Sequence, residues 1–118
     1  MALDFSDSIS LLKKAQDENL YEKLIAQLQK DFALANVDMD TLSETMVFAE
    51  LKTLLHEKIY RLILEKFTDY LNLLYVIDVP EKVFKEIRVT DVVEVAEQVT
   101  FLILQRELQK VRLKAKYA

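Results

Sequence analysis

The sequence predicts an all-α fold, a small helical bundle of three long helices with one or two short ones. Three observations carry that reading. Apolar residues recur at steps of three and four along most of the chain, the spacing that lines one face of an α-helix. No β-hairpin signal, low-complexity tract or domain linker interrupts that spacing. The chain has 118 residues, of which 52% are hydrophobic, which suits one all-helical domain over residues 1–118 with a single core.

The first element is a short lead-in helix over residues 6–16, with Ile9, Leu11 and Leu12 apolar and Ser6 or Ser8 as its N-cap. Asn19 followed by Glu22 reads as an asparagine variant of the capping box. Leu20, Leu24, Leu28, Phe32 and Ala35 then form a stripe, with Tyr21 and Ile25 at its edge. This helix is expected to stop near Asn36, a residue that tolerates the left-handed conformation glycine would otherwise supply. A polar connection leads to Thr41 and Glu44, another capping pair, and to one long helix over residues 45–77. Its stripe is Phe48, Leu51, Leu55, Ile59, Leu62, Ile63, Phe67, Tyr70, Leu74 and Ile77. Asp78, Pro80 and Glu81 mark the start of a short helix to about Ile87, and Thr90 or Asp91 opens a final helix that runs to about Lys116. The predicted central core is Leu62, Ile63, Phe67, Leu74, Leu104 and Leu108.

Composition excludes several kinds of chemistry. Glycine and cysteine are absent. Phosphate-cradling loops, dinucleotide-binding turns and nucleophile elbows need glycine where backbone approaches a ligand, so none can be built here. Disulfides, thiol chemistry and Cys-bound zinc go the same way. The start carries Asp4 and Asp7 without an apolar run, and the longest charge-free stretches, residues 70–77 and 98–105, are too short to span a bilayer. A cytoplasmic, acidic protein is expected.

The final helix divides its apolar residues between two faces. Val93, Thr100, Leu104, Leu108, Val111 and Ala115 fall on one side; Val92, Val95, Val99, Leu102, Leu113 and Tyr117 fall nearly opposite. Two such faces place the helix between layers or half-cover it with another chain, and the second stripe is read here as a homodimer interface. Glu57 to Lys66 also resembles Glu97 to Arg106 at a separation of 40 residues, a match that two amphipathic helices of similar composition produce by chance.

Candidate sites are few. His56, the only histidine, precedes Glu57, but position 60 is Tyr60 where a zincin helix needs a second histidine. Asn36, Asp38 and Asp40 alternate like the first calcium ligands of an EF-hand, yet Thr41 and Val47 stand where the loop needs glycine and glutamate. Paired carboxylates such as Glu18 with Glu22 lack an apolar pocket that would split their pKa values. The net charge is −4. Residues 106–118 hold five cations, Arg106, Lys110, Arg112, Lys114 and Lys116, against Glu107 alone, which leaves −8 for residues 1–105. These cations solvate a helix end and complement its dipole; functionally they form a candidate patch for an anionic partner. The expectation is therefore a non-catalytic interaction or regulatory module, a homodimer, with no cofactor, no metal and no catalytic residues. The alternative is a nucleic-acid-associated regulator that reads phosphates through the basic terminal helix.

Overall fold

The computed structural model describes residues 8–39, 41–87 and 91–117. Among them lie six helices and no strand: α1 (Ser8–Asp17), α2 (Tyr21–Leu34), α3 (Phe48–Glu65), α4 (Phe67–Ile77), α5 (Glu81–Phe84) and α6 (Val92–Lys116). The described residues are 77% helical, the all-α class the periodicity predicts. The lead-in helix and the second helix form close to their expected bounds. Asp91 caps α6, its carboxylate accepting the Glu94 N–H at 2.8 Å.

Three helix ends explain how a chain without glycine turns corners. Asn19, Asn36 and Asp78 all take the left-handed conformation, with φ of 60°, 60° and 66°. Each follows a helix and closes it with the same pair of backbone bonds. The Leu20 N–H reaches Ala15 O and the Asn19 N–H reaches Gln16 O; Val37 and Asn36 repeat the pattern on Phe32 and Ala33, and Val79 and Asp78 on Leu74 and Tyr75. Leu20, Val37 and Val79, the residues just past the turns, are buried. Asn36 thus acts as expected, whereas Asn19 and Asp78 correct their reading as N-caps. They end α1 and α4, while α2 and α5 begin at Leu20 and Pro80 without side-chain caps. Thr41 likewise caps nothing, because α3 starts only after Val47.

The long helix expected over residues 45–77 is broken. Lys66 leaves helical geometry (φ −142°, ψ 65°) and separates α3 from α4. A continuous helix of that length would reach about 50 Å, whereas the molecule's longest extent is 37 Å, so the second part must turn back to find a core. The break carries Phe67 out of line with the α3 stripe. It is 54% exposed, which removes it from the predicted core. Leu62, Leu74, Leu104 and Leu108 are buried, and Ile63 packs against them half-buried.

The connection between α2 and α3 is less polar than it reads. Val37 and Leu42 are buried in it, and three side chains pin it: Tyr21 Oη donates to Met46 O at 2.6 Å, Gln29 Nε2 to Leu42 O at 3.0 Å and Asn72 Nδ2 to Ala35 O at 3.3 Å. The Tyr21 ring meets Phe48 edge-on at 5.1 Å. Burial pushes the Tyr21 and Tyr70 hydroxyls up, Tyr70 to about 12.

Helix α6 runs through the middle, packed by α1, α2, α3 and α4. All seven residues from Gln98 to Leu104 are buried. This answers the two-stripe pattern: the bundle itself covers both faces at the centre of the helix. The 40-residue match has no equivalent packing, since Leu64 is 55% exposed and Leu104 wholly buried.

Candidate functional site

The six proposed interface positions do not behave as one surface. Val99 and Leu102 are 0% and 2% exposed within a single copy, and Val95 packs half-buried on the core, so no second chain is needed to cover them. Val92 is also half-buried. Only Leu113 and Tyr117, near the C-terminal end of α6, keep most of their surface in water. The stripe as a dimer interface is therefore corrected at its centre.

A second apolar face lies on α4, where Leu71 and Tyr75 are surplus to the stripe of the long helix. Phe67, Leu71 and Tyr75 recur at steps of four and are 54%, 50% and 84% exposed. Residues at that spacing share one side of a helix. The core side of the same helix holds Tyr70, Leu73, Leu74 and Ile77, so α4 has apolar residues on two sides, with Thr68, Asp69 and Asn72 between them, and only one of those sides is covered.

The basic end is already engaged. Arg106 donates from Nε to Asp78 O at 2.9 Å and from Nη2 to the Asp78 carboxylate at 3.0 Å. The Arg112 guanidinium forks onto Glu18, Nε to Oε1 at 2.9 Å and Nη2 to Oε2 at 2.6 Å, and these bonds hold the Glu18 carboxyl below the usual carboxylate range. Lys114 donates to Gln27 Oε1, and Lys116 stands 5.7 Å from the Tyr117 ring. Arg106, Arg112 and Lys114 thus tie α6 to the end of α4, to α1 and to α2, whereas Lys116 meets only the ring beside it. A patch presented to phosphates or to an acidic partner would compete with these internal partners.

Lys110 is the deepest of the five and leads into a buried charge cluster. Its Nζ donates to Asp31 Oδ2 on α2 and, at 3.1 Å, to the carbonyl of Ile77, the last residue of α4. Gln27 Nε2 donates to Asp31 Oδ1 at 3.1 Å. Beside them stands Glu107, with no exposed surface. Lys110 Nζ is 2.9 Å from Glu107 Oε1, but neither carboxyl oxygen receives a well-aligned hydrogen bond. Burial, joined by the neighbouring Asp31, pushes the Glu107 carboxyl up to about 8. Burial works against the Lys110 ammonium, yet its bonds to Asp31 and Glu107 outweigh that and its pKa is raised.

No family model matches this chain, and neither does any curated protein or solved structure.

The arrangement offers little to catalysis. Glu107 and Asp31 have 0% and 3% of their surface exposed, so a substrate cannot reach them. His56 stands apart from both; its Nε2 donates to Val93 O at 3.0 Å and ties α3 to the first turn of α6. A groove of about 710 Å³ beside Tyr21 and Phe48 carries Glu22, Lys23 and Glu44 but no histidine. Among the described residues, no group of three or more potential ligands stands where it could hold a metal ion, and no helix is long and apolar enough to cross a membrane.

The buried cluster had a signal in the sequence. Glu107 lies three residues after Leu104, and Asp31 three after Leu28, so both fall inside apolar stripes rather than beside them. A carboxylate at such a position is either a stripe's edge or a buried group awaiting a partner, and only the packing of α2 against α6 brings the two together.

Proposed function

We propose that this protein is a non-catalytic interaction module that works as a homodimer, joined through the outer face of α4. The observation that carries the reading is the exposed row of Phe67, Leu71 and Tyr75. Single apolar residues on a surface need no explanation, but a row of large ones on one helix face does.

A second copy suits this row because it is symmetric about Leu71. Two antiparallel α4 helices related by a two-fold axis at Leu71 set each Phe67 opposite the other copy's Tyr75, so one patch serves both partners. With Leu64 just across the break, the exposed apolar surface is on the order of 500 Å². That is close to the apolar share of one side of a standard interface of about 800 Å² per partner. Aromatic residues such as the Phe67 and Tyr75 that flank Leu71 are also the residue types that anchor interfaces.

Sedimentation velocity at micromolar concentration tests this. The wild-type chain is expected to run as a dimer, unaffected by added salt because the contact is apolar. Leu71→Glu is expected to run as a folded monomer with unchanged helical circular dichroism. A wild-type monomer at that concentration would sink the homodimer.

A further inference from the structure

The buried cluster places two carboxyl groups against one ammonium, out of water. With both carboxyls ionised it would hold an uncompensated negative charge, and burying one costs several kcal/mol. With Glu107 protonated it is neutral. We infer that Asp31, Glu107 and Lys110 form a proton-held latch that seats the C-terminal half of α6 on α2 and on the last turn of α4, and that loosens as pH rises.

The geometry makes the cluster a junction of three helices. Asp31 belongs to α2, Glu107 and Lys110 to α6, and the Ile77 carbonyl to α4. The charged groups acting on Glu107 are Asp31 and Lys110. Of the other charges on the packed elements, Lys23 and Lys30 of α2 line a surface groove with Gln27 and Lys114, and three more are occupied elsewhere. Lys114 is taken by Gln27, Asp78 by Arg106, and Glu18 at the end of α1 by Arg112. Among the described residues, Lys110 is the one cation paired with the cluster. The row on α4 proposed above as an interface is not part of this cluster, and the latch stands whatever covers that row.

The sign follows from linkage. The seated Glu107 holds its proton up to about pH 8, whereas the unseated, solvated group releases it in the ordinary range near 4.5. The seated form therefore binds more protons between those values, and its advantage is complete below the lower one. It falls by up to about tenfold in the opening equilibrium per pH unit on the way to the upper one, then levels off.

Two measurements on the intact chain test this. Carboxyl carbon NMR of Glu107 is expected to give a midpoint far above that of an exposed glutamate. Hydrogen exchange is expected to show protection of amides 105–116 falling by up to about tenfold per pH unit between pH 6 and 8, after correction for intrinsic exchange. In Glu107→Gln the same protection should stay flat. If that variant fails to fold, Asp31→Asn provides the second test. It leaves Glu107 with Lys110 alone and should lower its midpoint by more than one unit. A Glu107 midpoint near 4.5 in the wild type, or protection that stays flat across a raised midpoint, would overturn the latch.

Discussion

Lys110 keeps 17% of its side chain in water and Arg112 keeps 40%, and that difference sets what each contributes. Lys110 balances the one negative charge that the Asp31 and Glu107 pair carries out of solvent, so Lys110→Gln leaves buried charge without its partner and should cost about 3–5 kcal/mol. Arg112 forms a better-aligned pair with Glu18, but in water, where such pairs contribute about 0–1 kcal/mol and weaken with salt. Urea unfolding of the two single variants at pH 7 separates them, and equal losses would contradict the burial argument. The terminal cations thus differ among themselves in what folding would lose without them. Counting charge showed that cations gather at this end. It did not show which of them face acceptors, because Asp31, Glu18 and Asp78 lie 28 to 94 residues away along the chain.

At the scale of elements, the periodicity located the helical segments well and their ends unevenly. The same residue types, asparagine and aspartate, serve both to start helices and to end them in the left-handed conformation. Asn36 follows a finished stripe and was legible as an end; Asn19 and Asp78 sit between two stripes and were not. The break at Lys66 left no mark, since the steps of three and four pass through it and neither proline nor glycine is present. It follows from the size of the whole molecule, which a local pattern does not contain. The turn at Asn36 yields a prediction of its own. Asn36→Gly should stabilise the protein by up to about 1 kcal/mol, because glycine takes positive φ without steric cost. Asn36→Ala should destabilise by about 1 kcal/mol, since a Cβ is penalised there and alanine lacks asparagine's local hydrogen bonding. Thermal unfolding of the two variants reads both signs, and a more stable alanine variant would show that the left-handed turn is absent.

The whole molecule decides between the two meanings of an apolar residue on α6. Val99 was expected on sequence grounds to face a second copy, so that Val99→Glu would give a folded monomer. In the fold it lies in the run from Gln98 to Leu104 that is buried on all sides, with Val99 itself wholly inaccessible. A glutamate there would meet α6's neighbours rather than another chain, at a position with no exposed surface. Burying an unpaired carboxylate costs more than a domain of this size has in reserve, which is about 5–15 kcal/mol, unless the group takes up a proton. Val99→Glu should therefore lose its cooperative thermal transition at pH 7 and recover part of it near pH 5, whereas Leu71→Glu, on the half-exposed side of α4, should keep the transition at both. Circular dichroism melts of the two variants at the two pH values are sufficient. A Val99→Glu chain that melts like the wild type at pH 7 would mean that α6 is not the centre of the bundle, and that its second stripe faces outward after all.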